Sequence, residues 1–89
     1  MMTEAERAYL LALGLRIRLL RDGRRLSQTQ LAAAAIARTL LGSIEHGDHP
    51  ASLLTYIRIA AALGIPLRDL IDPNTPDRQV ARLFGNSSD

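Results

Sequence analysis

The architecture of this 89-residue chain depends on whether the stretch Leu31–Gly47, "LAAAAIARTLLGSIEHG", forms one helix or two. The stretch contains no proline and no glycine before Gly42, so helix propensity alone predicts one unbroken helix from about residue 28 to residue 46. On such a helix Leu31 and Leu41 would lie about 80° apart, which lets both face one core. Periodicity therefore does not distinguish one long helix from two short helices joined by a turn.

Capping signals around this stretch predict where other helices begin and end. Thr3 with Glu6, and Ser27 with Gln30, each have the capping-box pattern, so helices are predicted to start at both places. Further starts are predicted at Ser52, at Pro66 and at Thr75-Pro76, the last of these helices reaching about Phe84. Glycines are the predicted helix stops, namely Gly23, Gly47 and Gly64.

Apolar residues at helical spacing predict the core and an all-α fold. Gly14 interrupts the first helix, at a cost of about 1 kcal/mol relative to alanine. No segment alternates with the period of a strand. The predicted inward positions are Leu13, Ile17, Leu20, Leu31, Ala35, Ile36, Leu41 and Ile44, followed by Leu53, Leu54, Ile57, either Ala60 or Ala61, and Leu63.

The composition narrows the class of protein. Hydrophobic residues make up 47% of the chain, which predicts a folded domain, and 89 residues suffice for one modest core. There is no cysteine, which excludes disulfides and thiolate metal sites. The N-terminus "MMTEAERAY" does not read as a signal peptide, and no apolar run approaches the roughly 18 residues of a membrane span. We therefore expect a cytoplasmic protein with no membrane association.

The positive charge is concentrated in one segment. The formal net charge is only +2, yet residues 16–38 contain six arginines and a single acid, Asp22. A basic segment on a nearly neutral chain is consistent with a polyanionic partner, although a solvated helix face explains such a cluster about equally well.

Three stretches in order carry a resemblance to a known family: "LGLRIRLLRDGRRLSQTQLA", "IARTLLGSIEHG" and "SLLTYIRIAAALGIPLRDLI". Together they resemble the Cro/C1-type (XRE-like) helix-turn-helix DNA-binding domains, over about 60 residues. The second half is most similar to restriction–modification controller proteins and small phage or antitoxin regulators. The resemblance implies a compact five-helix, phage-repressor-like bundle at residues 13–72. An N-terminal helical extension at residues 1–12 and a tail at residues 73–89, with a short helix, would flank it.

The resemblance also implies which residues face DNA. A recognition helix over residues 37–46 would turn Leu41 and Ile44 inward, and its outward side would offer hydrogen-bonding groups to base edges. Gln28, Arg16 and His49 fall where family members approach the DNA backbone. Arg21 and Glu45 match a structural ion pair of the family. The outward residues are Arg38, Thr39, Ser43 and His46, with Gly42 permitting close approach.

The opening stretch departs from the family at the turn itself. A glycine normally precedes the position of Ile36 and a Ser or Thr caps the recognition helix, but this chain has Ala35 and Ala37 there, and the turn is one residue short. We expect two helices joined by a tight, strained turn at Ala35–Ala37. The alternative is a straight helix that exchanges its partners between two chains.

These features predict a sequence-specific, double-stranded DNA-binding transcriptional regulator with no enzymatic activity and no cofactor. Because a single helix-turn-helix domain buries little surface against DNA, we expect a homodimer on a two-fold operator. The predicted dimer surface comprises Tyr56, Ile59, Leu67 and Leu70, with Val80 and Phe84 or the N-terminal extension as additions. The alternatives are a protein-interaction module that binds a toxin or a polymerase subunit, and a metal or hydrolytic site at His46, Asp48 and His49.

Overall fold

The computed structural model describes residues 1–77. Val80 and most of the helix predicted from Thr75-Pro76 to about Phe84 therefore lie outside the described residues. This part is all-helical, as predicted. No helix within it is both long and apolar enough to cross a membrane. The five helices are α1 (Glu4–Gly23), α2 (Gln28–Ala35), α3 (Arg38–Glu45), α4 (Leu53–Leu63) and α5 (Leu67–Ile71).

The stretch Leu31–Gly47 forms two helices, which confirms the prediction of a bend. Ile36 (φ −153°, ψ 175°) and Ala37 (φ −63°, ψ 141°) are both extended and separate α2 from α3. The expected strain is absent, because neither residue adopts the left-handed conformation for which the family uses glycine. Ile36 is half-buried against the core, so tertiary packing holds the bend that local sequence does not encode.

The capping residues act largely as predicted. Thr3 with Glu6 and Ser27 with Gln30 form complete capping boxes, and the Ser52 side chain accepts a hydrogen bond from the Thr55 amide. Ala37, at the N-cap of α3, makes no side-chain capping bond. Within residues 1–77, α3 therefore begins without the side-chain cap that Thr3, Ser27 and Ser52 provide for α1, α2 and α4.

The end of α1 corrects the role predicted for Gly23. The helix includes Gly23, and the left-handed residue that turns the chain is Arg25, at φ 56°. The Arg25 amide bonds to the Asp22 carbonyl oxygen (2.9 Å) and the Leu26 amide to that of Arg21 (3.1 Å), which is a Schellman motif. Arginine thus occupies the position in which glycine is usually found.

The core lies between α1 and the other helices. Tyr56, Ile59 and Leu70 belong to this core, so they cannot form the predicted dimer surface. The predicted inward positions Leu53, Leu54 and Ile57 are exposed instead, because α4 buries its neighbouring face against α2 and α5. The Ala35 side chain lies outside the described part. The buried apolar residues are Leu13, Ile17, Leu20, Leu31, Ala32, Leu41, Ile44, Tyr56, Ile59, Ala60, Leu63 and Leu70.

Two glycines allow α1 to approach the end of α3 closely. A Cβ on Gly14 would lie 2.4 Å from the Ile44 carbonyl oxygen, and one on Gly47 would lie 2.9 Å from Leu11 Cα. Gly14 is therefore a packing residue and more than an interruption of the helix. Gly47 also ends α3 with φ 72°, as predicted for a helix stop. This contact fixes the position of α3 relative to the longest helix of the fold.

Candidate nucleic-acid interface

Helix α3 is divided into a buried side and an exposed polar side. Leu41 and Ile44 are 0% and 3% exposed, so they anchor the helix to the core. Arg38 and Thr39 are exposed, and Ser43 is half-buried on the outer side. Helix α3 is therefore short, is held to the core by its apolar side, and presents hydrogen-bonding side chains on its outer side.

A buried ion pair ties the end of α3 to α1. Arg21 Nε donates to Glu45 Oε2 (2.8 Å) and Arg21 Nη2 donates to Glu45 Oε1 (3.0 Å), the bidentate geometry of a strong pair. Arg21 Nη1 also donates to the Leu26 carbonyl oxygen at 2.8 Å. The hydrogen bonds with Glu45 raise the pKa of the Arg21 guanidinium. The expected partners Arg21 and Glu45 are thus in contact.

Gln28 extends this network to the first turn of α2. Its Nε2 donates to Glu45 Oε1 at 3.0 Å, so one carboxylate holds a residue of α1 and a residue of α2. A Cβ added to Gly42 would lie 3.9 Å from Gln28 Oε1, which places the amide beside the outer side of α3. Sequence patterns do not predict this contact, because no local spacing relates two residues that are 17 positions apart on separate helices.

Arg16 is engaged at the other side of α1. Its Nε donates to the carbonyl oxygens of Asp69 (3.0 Å) and Leu70 (3.1 Å), which joins α1 to α5. These bonds satisfy carbonyl groups near the end of a short helix. The structure therefore gives Arg16 a role in joining α1 to α5, and its contact with the DNA backbone stays a prediction.

The loop after α3 carries the two histidines. His46 is exposed and its Nδ1 hydrogen-bonds to the Gly42 carbonyl oxygen at 2.8 Å, which fixes the ring against its own helix. Asp48 and His49 are exposed in the following loop. Within residues 1–77, no group of three or more His, Asp or Glu residues is arranged to hold a metal ion.

Three of the six arginines in residues 16–38 make contacts that hold the fold together. Arg24 donates to the Leu63 carbonyl oxygen (2.8 Å) and pairs with Asp77 (2.9 Å), in addition to the contacts of Arg16 and Arg21 described above. The local excess of charge therefore overstates the positive surface. The three arginines of the segment that remain exposed are Arg18, Arg25 and Arg38.

The comparisons with known proteins agree with this architecture. Residues 17–70 match the family described as helix-turn-helix. The chain belongs to the helix-turn-helix family. Its match spans α2, the bend, α3 and the helices that hold them, and the family consists of regulatory DNA-binding proteins.

A solved structure supports the finer likeness. The chain is similar to the restriction-modification controller protein C.AhdI from Aeromonas hydrophila, with 38% sequence identity and a TM-score of 0.69. The match covers 71% of this chain and 97% of that one. No curated protein matches the chain.

Proposed function

We propose that this helix-turn-helix protein is a sequence-specific transcriptional regulator that reads the major groove of double-stranded DNA with α3. The observation that carries the proposal is the polar outer side of α3, opposite the buried Leu41 and Ile44. A helix that reads the major groove needs an apolar side that is fixed to the core and an opposite side that presents hydrogen-bonding groups to the bases. The likeness to a controller protein supports a regulatory role for such binding.

The side chains of α3 suggest a division of roles. Arg38, the first residue of the helix, is exposed and suits bidentate hydrogen bonding to guanine. Thr39 and Ser43 offer hydroxyl groups to neighbouring bases. Gly42 has open space in front of it, apart from the Gln28 amide oxygen at 3.9 Å, and so permits close approach. These four residues form the proposed base-reading surface.

The backbone contacts lie at the two ends of this surface. Gln28 stands in the first turn of α2, where free amide groups favour a phosphate. Its bond to Glu45 orients it there. His46 and His49 are exposed at the other end of α3 and in the loop. We assign these three residues to contacts with the DNA backbone.

We further propose a homodimer that pairs two heads through α4. A single head of this size seldom buries enough surface for tight specific binding, and two-fold dimers read half-sites about one DNA turn apart. Leu53, Leu54 and Ile57 are 63%, 53% and 43% exposed on one side of α4. We propose this apolar surface of α4 as the dimer surface in place of Tyr56, Ile59 and Leu70, which are buried in the core.

The test compares two arginines after selection of binding sites from random DNA. Arg38→Ala should weaken binding to the selected site by about 1–3 kcal/mol and relax the preference at one base pair. The control, Arg68→Ala, removes the same charge from α5, where the side chain is 84% exposed, and should change affinity little. Binding measured over a salt series should show a steep negative slope of log K against log salt.

Three outcomes would contradict parts of the proposal. Equal losses for Arg38→Ala on every sequence would make Arg38 a phosphate contact. Equal losses for both variants would leave only a general charge effect. Failure to select any DNA, with no dependence of binding on salt, would favour the alternative of a protein-interaction module.

A further inference from the structure

A row of exposed leucines on α1 is used neither by the core nor by the proposed DNA surface. Leu11, Leu15 and Leu19 are 52%, 53% and 59% exposed and follow one another at intervals of four residues. On a helix this spacing places them in a single stripe along about two turns. Ala8 and Ala12 are also exposed on this side of the helix. We call the three leucines and these two alanines the α1 stripe.

The stripe is supported by a rigid helix. Tyr9 donates a hydrogen bond to the Ile71 carbonyl oxygen, Arg16 binds the carbonyl oxygens of α5, and Gly14 packs against the end of α3. These contacts lie on the other sides of α1, whereas Leu11 also packs beside Gly47 and remains about half exposed. The leucines are therefore held outward by a helix that cannot rotate to bury them.

We propose that the α1 stripe is a self-association surface on which α1 of a second copy packs antiparallel, with Leu15 at the two-fold axis. In this register residue i faces residue 30 − i of the second copy. Leu11 then lies opposite Leu19 of the second copy, and the three leucines of each helix form one continuous apolar seam. The seam is isologous, as a closed two-fold contact requires.

The charges at the ends of α1 select the antiparallel orientation. The exposed acid Glu4 lies at the N-terminal end, and the exposed Arg25 follows the C-terminal end. In the antiparallel register Glu4 approaches Arg25 of the second copy, and Arg7 approaches Asp22. A parallel pair would bring like charges together at both ends. The helix dipoles also oppose one another favourably only in the antiparallel pair.

The area of the stripe indicates the strength of the contact. Three leucines that are each about half exposed leave roughly 300 Å² of apolar surface per copy, the size of a patch that commonly marks an interaction site. Two copies would bury about 600 Å² through the leucines, and the flanking pairs would have to bring the total toward the ~1,000 Å² of a specific interface. The contact is accordingly a weak, reversible one.

A groove beside the stripe gives the second copy room to dock. It is lined by Leu15 and Leu19 on one side and by Pro73 and Pro76 on the other. The segment from Pro73 is fastened to α1 through the Asp77–Arg24 ion pair (2.9 Å). Both walls of the groove are therefore fixed in position before a partner helix arrives.

Single cysteines test the register directly, because the chain contains no cysteine. Leu15→Cys in the full chain should form a disulfide-linked dimer under mild oxidation, since the two sulfur atoms would meet at the axis. Leu11→Cys and Leu19→Cys should remain largely unlinked when each is alone. A mixture of these two, one carrying a size tag, should give the mixed dimer.

Other crosslinking results would overturn the proposal. Linked dimers of Leu11→Cys alone and of Leu19→Cys alone would show a parallel pair. No dimer of Leu15→Cys would show that the stripe is covered by residues beyond Asp77, by another protein or by solvent only. In sedimentation of chains that carry Ile57→Glu on the exposed side of α4, adding Leu15→Glu should weaken self-association at least tenfold, and an unchanged constant would also overturn the proposal.

The variant Ile57→Glu distinguishes the α1 stripe from the proposed α4 dimer surface. Ile57→Glu places a charge on the exposed side of α4 and should leave the crosslinking of Leu15→Cys unchanged. If Ile57→Glu abolishes that crosslink, the α1 stripe is not an independent interface and the proposal fails. Failure of the α4 dimer or of DNA binding would leave the Leu15→Cys result intact.

Discussion

At the scale of single residues, Arg25 holds a backbone conformation that disfavours any side chain with a Cβ. Its φ of 56° costs about 1–2 kcal/mol for an L-residue, whereas glycine adopts this region freely. Arg25→Gly should therefore raise the free energy of unfolding in urea by about 0.5–1 kcal/mol.

The control for Arg25→Gly is Arg18→Gly, which removes the same charge from the exposed interior of α1. It should lower the free energy of unfolding by about 1 kcal/mol, because glycine is unfavourable within a helix. Effects of the same sign for the two variants would show that charge, and not the left-handed backbone, determines the response.

Gly14 and Gly42 form a matched pair at the same scale. Gly14→Ala should destabilise the protein by about 1–3 kcal/mol, because the new methyl group would lie 2.4 Å from the backbone oxygen of Ile44. Gly42→Ala has ordinary space and should raise stability by up to about 1 kcal/mol through helix propensity, while weakening specific DNA binding. Thermal unfolding and DNA titration of both variants measure these effects, and equal stability changes would contradict the close contact at Gly14.

At the scale of elements, the start of α3 lacks a cap that the backbone is ready to accept. Ala37 has the extended φ and ψ of an N-cap, and no side chain bonds to the first turn. Ala37→Ser should raise the free energy of unfolding by about 1 kcal/mol, measured by urea denaturation. Ala33→Ser places the same side chain within α2 and should cost about 0.5 kcal/mol. If both variants destabilise equally, residue 37 does not act as an N-cap.

At the scale of the whole molecule, the Arg21–Glu45 pair joins α1 to the recognition unit. The side chains are 10% and 3% exposed, so removal of either partner leaves a buried charge. Arg21→Met alone and Glu45→Leu alone should each cost about 3–5 kcal/mol, and the double variant should cost clearly less than their sum.

A double-mutant cycle from urea unfolding checks this coupling. Additive losses would show that the two side chains act independently in spite of their contact. Because Glu45 also holds Gln28, we further expect Glu45→Gln to retain more DNA affinity than Glu45→Leu at equal folded fraction. Equal affinities for these two variants would show that the bond to Gln28 does not position the α2 end.

Local sequence signals are sufficient to predict the helices whose caps and apolar spacing involve only neighbouring residues. The capping boxes at Thr3 and Ser27, the stop at Gly47 and the spacing of Leu13, Ile17 and Leu20 depend on neighbouring residues and so could be read directly. The resemblance supplied the bend and the partners Arg21 and Glu45, which no local signal in this chain provides.

The remaining features could not be predicted from local sequence, because they depend on which elements pack together. Ile36 is extended because it packs on the core, and Gly14 is required because the end of α3 approaches α1 within 2.4 Å of a Cβ position. Arg16 serves α5, and Leu53 faces outward although it shares the helical spacing of buried residues. Periodicity shows that a helix has an apolar side, but the direction of that side is set by the helices available to cover it.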